Sequence, residues 1–231
     1  MVRTLCGAWR RVKAARGGLL ECGMPFVTFE GIEGSGKSTQ ARLLAERLGP
    51  DTVLTQEPGG TETGRAIRRL LLEHGHGEVA PATEVLLYFA DRAQHVAQLV
   101  RPALQAGRSV VSDRYTDSSL AYQGYGRGLD RQLILDVHRL ATGGLTPDVT
   151  ILLDVSVEVG LARASSRGPL DRLEAEVREF HERVRAGYLE MATTEPARWV
   201  RVDAEGPAEE VARRVTAAAE ERGLIGRHAV S

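Results

Sequence analysis

Residues Gly31-Ile32-Glu33-Gly34-Ser35-Gly36-Lys37-Ser38 match the pattern G-x-x-x-x-G-K-[ST] in full, and few eight-residue runs constrain a fold as tightly. Such a loop works only where a buried strand gives way to the first turn of a helix, because there successive backbone N–H groups turn toward one anion. The glycines allow the tight path, Lys37 adds a point charge for β- and γ-phosphates, and the Ser38 hydroxyl is a ligand for Mg2+. The flanks have the required character: Phe26–Glu30 is β-rich, and Thr39–Leu48 carries Ala41, Leu44, Ala45 and Leu48 at helical spacing. A glycine-rich turn with an incidental lysine is the competing reading, and it leaves the strand–loop–helix order unexplained.

Downstream, short apolar runs alternate with helical periodicity. Thr52–Thr55 reads as a short buried strand ended by the turn Glu57-Pro58-Gly59-Gly60-Thr61, followed by helices over 63–73 and 82–106. Ser109–Ser112 is a third strand leading into Asp113-Arg114, and a helix over 130–142 precedes a fourth strand, Val149–Asp154. A long helix over 173–192 sets Val177, Phe180, Val184, Tyr188 and Met191 on one apolar stripe. Trp199–Val202 is the fifth strand, and a last helix opens with Pro207 in its first turn, backed by Glu209 and Glu210. The order predicts an α/β fold: a five-stranded parallel sheet with helices on both faces. Ligands of such sheets bind beyond the carboxyl ends of the strands. The phosphate loop, Glu57 and Asp113-Arg114 all fall there.

Composition narrows the function classes. Thirty Lys and Arg stand against 31 Asp and Glu, a net charge of −1, which speaks against a general nucleic-acid binder. No window approaches the ~18 apolar residues of a membrane span. The only cysteines, Cys6 and Cys22, precede the first strand, a usage that fits a reducing cytoplasm, and the six histidines are scattered rather than grouped as metal ligands. Residues 1–23 are basic, with Glu21 the only acid, and read as a disordered extension or as sequence ahead of a true start at Met24; an organellar targeting peptide is a third reading. Residues 24–231 then form one domain.

The loop names a donor, and other residues must name the acceptor. Asp113 closes an apolar run where an acid can hold Mg2+ directly or through water, and Arg114 beside it can grip a second phosphate; a surface ion pair at a strand end is the alternative. Tyr88 and Arg92, four residues apart on a predicted helix, share a face and suit a nucleobase, the ring for stacking and the guanidinium for a carbonyl oxygen; a core tyrosine with a snorkelling arginine has the same spacing. The segment 115–127, rich in hydroxyls and aromatics, is either a sugar and base pocket or a plain loop. Arg163, Arg167 and Arg172 cluster in a Ser/Gly/Pro-bearing break, either as a lid over transferring phosphates at about 163–173 or as a solvated charged face.

Taken together, Phe29–Gln40, Glu57-Pro58-Gly59-Gly60-Thr61, Asp113-Arg114-Tyr115, Ser118-Ser119, Ala121–Gly124 and Leu170–Glu174 resemble bacterial thymidylate kinases over about 25–220. The resemblance implies transfer of the ATP γ-phosphate to dTMP by a Mg2+-dependent homodimer. It implies that Gly31, Ile32, Glu33, Gly34, Ser35, Gly36, Lys37, Ser38 and Thr39 hold ATP, with Ser38 and Asp113 toward the metal. Glu57, Ser119 and Gln123 then belong to the dTMP site, where Arg114 binds the phosphate, Tyr88 stacks on thymine and Arg92 reaches its O4. Tyr122 lies under the deoxyribose, and Glu33 approaches the sugar 3′-hydroxyl. Lys37, Arg114, Glu33 and Arg167 form the catalytic set.

The chain departs from the family pattern in two places. Gln56 stands where the family usually has Arg, and Tyr88 where Phe is more frequent. Some members also carry an Arg directly after the loop acid; here that position is Gly34, so the transferring group takes its cation from elsewhere, Arg167 being the candidate with Arg163 and Arg172 in support. Rival readings are a kinase of dUMP, dCMP or a nucleoside, a nucleotide-binding regulator that hydrolyses ATP slowly, and a non-catalytic module, which leaves Lys37, Asp113 and Arg114 without a role.

Overall fold

The computed structural model describes residues 24–75, 77 and 79–226, so the basic stretch 1–23 and both cysteines lie outside the described residues. Strands β1 (Phe26–Glu30), β2 (Val53–Gln56), β3 (Val110–Asp113), β4 (Val149–Asp154) and β5 (Trp199–Asp203) form one parallel sheet in the order β2-β3-β1-β4-β5. Every residue of β1 and β4 is buried, which their near-continuous apolar sequences require of strands covered on both faces. Alternate residues of β1 serve the two layers: Val27 and Phe29 enter the larger core with Leu44, Ile151 and Val184, while Phe26 packs with Val96, Val100 and Tyr115. Phe29 is in register with Asp113, so the ends of β1 and β3 open side by side.

The helices are α1 (Lys37–Leu48), α2 (Glu62–Leu72), α3, α4, α5 (Arg131–Thr142), α6 (Val157–Ser165), α7 (Arg178–Thr194) and α8 (Ala208–Glu221). Here α3 is one rod made of Pro81–His95, a π turn Val96–Val100 and Arg101–Gln105. Pro102 lacks an N–H and crowds the carbonyl four residues back, and the wide turn just ahead of it relieves both. Likewise α4 joins a short α segment, Thr116–Ser119, to a π segment, Leu120–Gly126.

Four expectations change. The strand expected at 52–55 as buried is an edge strand paired with β3, and its Leu54 is 45% exposed. A short apolar run does not report whether one neighbour or two will flank it. The helix expected from 173 starts at Arg178, because the Asp171 carboxylate accepts from the backbone N–H groups of Leu173 and Glu174 (both 2.9 Å) and closes a local turn instead. Val177, expected on the apolar stripe, therefore precedes the helix and is 64% exposed. Pro207 likewise caps α8 from outside rather than opening its first turn.

A buried ion pair fixes α4 against the sheet. Arg198, just ahead of β5, donates to both carboxylate oxygens of Asp117 (2.6 and 3.0 Å) and to Thr150 Oγ1 (2.8 Å). Removing one member of such a pair strands the other charge in the interior. We expect Arg198→Met to destabilise the fold by about 3–5 kcal/mol, read as a lowered denaturant midpoint; a midpoint within error of the wild type would show that the pair contributes nothing net.

Candidate active site

The phosphate loop leaves β1 at Gly31 (φ 143°), turns at Gly34 (φ 68°) and enters α1 through Gly36 (φ 91°), all left-handed conformations that glycine adopts without a Cβ penalty. At Gly34 the demand is also steric: a Cβ there would overlap the Gly160 carbonyl oxygen of α6. Gly160 answers in kind, since its own Cβ would stand 2.6 Å from the Glu33 carbonyl oxygen. The loop and α6 thus touch backbone to backbone.

Lys37 folds back over the loop, its Nζ donating to Gly31 O (3.0 Å), Ile32 O (2.8 Å) and Ser35 Oγ (3.2 Å). Burial, with the Arg114 charge behind it, lowers its ammonium to about 8 against the pull of Asp113, Glu33 and Glu30. Ser38 Oγ donates to Asp113 Oδ2 in a short hydrogen bond. Two hard oxygens from the ends of different elements therefore meet beside the loop.

Arg114 follows β3 with φ 73°, the sole described non-glycine residue in the left-handed region. That backbone turn aims the guanidinium across the sheet end, where Nη1 donates to Gly31 O, Ser118 Oγ and Tyr188 Oη (3.1–3.3 Å) and Nη2 to Glu33 Oε1 (3.2 Å) and Tyr122 Oη (3.1 Å). It also lies 4.9 Å from the Tyr122 ring centroid. Glu33 accepts from Tyr122 Oη as well, and burial, which alone would raise its carboxyl, is outweighed by His181, Arg114, Lys37 and Tyr122, leaving it at about 2. His181 Nδ1 stands 3.3 Å from Glu33 Oε2 but out of hydrogen-bonding alignment. Glu33 Oε2 and both ring nitrogens of the buried histidine are accordingly without a hydrogen bond.

At the other end of the cleft, Arg92 is 1% exposed. Its Nε donates to Glu57 Oε2 (2.7 Å), and Nη2 to Tyr115 O and Ser119 Oγ (both 3.1 Å). Nη1 is buried without a partner, an orphan donor of the kind that points to a ligand. His95 Nδ1 meets the second Glu57 oxygen at 2.7 Å. Tyr88 lines the cleft one helical turn from Arg92, and Tyr122 and Gln123 face in from the π segment of α4.

These groups surround a single cleft of about 240 Å³. Glu33, Gly34, Gly36, Lys37, Ser38 and Thr39 line it from the loop, while Gly31, Ile32 and Ser35 are tucked beneath. Glu57, Asp113, Arg114 and Ser119 complete the lining from the neighbouring strand ends and α4, and Gln56 borders it beside Asp113. The three arginines of the 163–173 segment separate. Arg167 lines the cleft, its side chain 62% exposed and paired with Glu174 at 3.0 Å. Arg163, on α6, donates to the Ala204 and Gly206 carbonyls (2.9 and 3.0 Å), and Arg172 binds Glu84 and Leu71 O instead of facing the cleft.

The family model for thymidylate kinase matches residues 29–215. The chain belongs to the thymidylate kinase family. Similar proteins include the thymidylate kinase of Desulfovibrio desulfuricans, 51% identical over 196 residues (80% of this chain, 90% of that one), and that of a Nostoc species, 55% identical over 185 residues (77% and 87%). In three dimensions the chain resembles the crystal structure of thymidylate kinase from Ehrlichia chaffeensis, with a TM-score of 0.69 and 34% identity over 85% of this chain and 98% of that one.

Around this cleft, several residues were given no role by the sequence. Glu30 accepts from Tyr115 N (2.8 Å), Ser118 Oγ (2.6 Å) and Tyr188 Oη (2.9 Å), and so holds two of the hydroxyls that Arg114 uses. Its signal was an acid at the end of an otherwise apolar strand. Tyr188 and His181 fall on a helix whose 3.6-residue periodicity registers rings and not their polar atoms. Burial, reinforced by the Asp117 charge, pushes Glu30 up to about 7 against hydrogen bonds from Ser118 and Tyr115 N–H and the charge of Arg114. A carboxyl whose folded value lies above its ordinary 4.5 favours the fold fully below pH 4.5, and that contribution is lost as pH rises through 7. The melting temperature of the wild type, measured relative to that of Glu30→Gln, should therefore fall between pH 5 and pH 8; parallel curves would remove Glu30 as the titrating group.

Proposed function

We infer that the protein transfers the γ-phosphate of ATP to the phosphate of dTMP, releasing ADP and dTDP. The observation that carries this reading is the shared cleft: a phosphate loop with its lysine, a separate cation at Arg114, and an orphan Arg92 donor beside Tyr88 at the far end. Two phosphate-directed cations with a base-sized lobe between aromatic and guanidinium groups suit a kinase of a nucleoside monophosphate. A nucleotide-hydrolysing regulator has no use for the second cation.

Phosphoryl transfer needs positioning and charge neutralisation more than covalent chemistry. Residues 31–39 hold the triphosphate, with Lys37 leaving its loop carbonyls to meet the β- and γ-phosphates. Arg114 presents the dTMP phosphate in line, while Tyr122 and Glu33 hold the deoxyribose. Tyr88 stacks on thymine, and Arg92, braced by Glu57 and Ser119, donates to O4. Gln123 lies at the base edge. The acceptor phosphate is largely ionised at neutral pH, so no general base and no protein nucleophile are assigned.

Mg2+ is proposed as the cofactor. The Ser38 hydroxyl and Asp113 carboxylate are hard oxygen donors that fit an ion keeping most of its waters. When bound, it would neutralise charge across the β- and γ-phosphates. We propose further that residues 24–231 form one domain with 163–173 as its lid, carrying Arg163, Arg167 and Arg172, and that the enzyme is a cytoplasmic homodimer without a nucleic-acid partner. Among the described residues no helix is long and apolar enough to cross a membrane.

ADP release with ATP and Mg2+ tests the assignment against dTMP, dUMP, dCMP, AMP and no acceptor. The expected order is strong turnover on dTMP, dUMP weaker by roughly 10–200-fold because one methyl separates the two, and negligible AMP; acceptor-independent hydrolysis would sink the reading. Arg167 is the cleft cation free to leave Glu174 for the transferring group. Arg167→Ala is expected to lower kcat by about 10²–10³-fold while leaving the KM for dTMP within a few-fold. An unchanged kcat would take Arg167 out of the mechanism.

A further inference from the structure

Glu84 does not line the cleft, yet it is fully buried in the first turn of α3, one turn ahead of Tyr88. Three side chains converge on it. Gln123 Nε2 donates to Oε1 (2.9 Å), Arg127 reaches both oxygens (3.3 and 3.4 Å), and Arg172 Nη2 binds Oε2. Burial alone would raise this carboxyl, but the Gln123 and Arg172 hydrogen bonds and the Arg127 charge hold it below the ordinary carboxylate value. An ionised carboxylate only accepts. The NH2 end of the Gln123 amide must therefore turn toward Glu84, and its carbonyl end is left for the cleft that Gln123 lines. The hydrogen bond found for this amide among the described residues is the one its NH2 end gives Glu84, and Arg92, which lines the same cleft, holds its unpartnered Nη1 buried in the cleft wall.

The base lobe thus presents one free donor and one free acceptor. A pyrimidine with a carbonyl at C4 and a proton on N3 complements both. Cytosine opposes both, with an amino group at C4 and a bare N3, and would instead accept a hydrogen bond from a reversed amide. We propose that Glu84 is a positioning residue that sets which end of the Gln123 amide faces the base, and thereby makes the site select an N3–H pyrimidine over cytosine. The inference rests on the thymidylate kinase reading above and adds to it the group that imposes the choice.

Glu84→Gln tests it. A glutamine at 84 can donate as well as accept, so the Gln123 amide is released to turn either way, while one carbonyl remains for the arginines. With purified full-length protein, ATP and Mg2+, kcat/KM is measured for dTMP, dUMP and dCMP, alongside a thermal melt. The expected result is a fall of roughly tenfold or more in both the dTMP/dCMP and dUMP/dCMP ratios, carried mainly by a higher KM for the two N3–H substrates. Both ratios are blind to a uniform loss of activity from a loosened Arg172. A variant that loses activity equally on all three, or keeps the wild-type ratios, overturns the role of Glu84. If Glu84→Gln melts below the assay temperature, Gln123→Met decides: deleting the acceptor must collapse the same ratios, and retained ratios overturn the proposal. A wild type that phosphorylates none of the three removes the functional reading and this inference together. Selective dTMP turnover with ratios that survive Glu84→Gln removes this inference alone.

Discussion

A guanidinium held at the end of a buried sheet is expensive unless its donors are met, and Arg114 meets that demand through both terminal nitrogens. Its left-handed backbone lets the side chain cross from the end of β3 to the phosphate loop, and its donors reach β1's exit, α4 and α7 at once. The hydroxyls of Ser118 and Tyr188 that receive it are in turn anchored on Glu30. Burial, Coulomb attraction and hydrogen bonding thus point one way only when all of these groups are present. Loop, sheet end and the helix carrying His181 are consequently a single electrostatic unit, and Arg114 stays charged, well above the ordinary arginine value, despite burial.

The two ends of the cleft are organised by different physics. Around the loop, charges are close and partly open: Lys37 leans on carbonyls and the exposed Arg167 on the half-buried Glu174. Around the base lobe, polar groups are buried and locked. Glu57 receives Arg92 and His95, while Glu84 receives Gln123, Arg127 and Arg172. Both π segments flank this second region, one starting directly after His95 and the other carrying Tyr122 and Gln123. The wider turn changes the angular spacing of side chains, which allows Ser119, Tyr122 and Gln123 to serve different partners from one helix.

What was legible in the chain follows from range. The loop, β1 and the pair Asp113-Arg114 declare themselves because their function is local: a few consecutive residues make both the backbone shape and the chemistry. The α/β class and five strands follow from alternation of short apolar runs with helical ones, and family resemblance extended this to Tyr88, Arg92 and Tyr122. Glu30 was not legible as a site residue, since its partner Tyr188 is 158 residues away and reads as one more apolar position on a stripe. The same distance problem scattered the three arginines expected as one lid group. Their clustering in sequence said nothing of Glu84, 88 residues from Arg172, or of the carbonyls beyond β5 that take Arg163. The edge position of β2 was hidden for the corresponding reason, pairing being a property of two segments at once.

The contact between Gly34 and Gly160 closes a route as well as a gap. The family resemblance allows an arginine at the position of Gly34, whereas here any side chain would strike the α6 backbone. Acquiring that arginine demands that α6 first be displaced, and α6 leads into the very segment that carries Arg167. The two arrangements of transferring cation are therefore alternatives separated by a backbone rearrangement, and no single codon change joins them. A lineage that starts with this close contact must take any further cation from outside the phosphate loop.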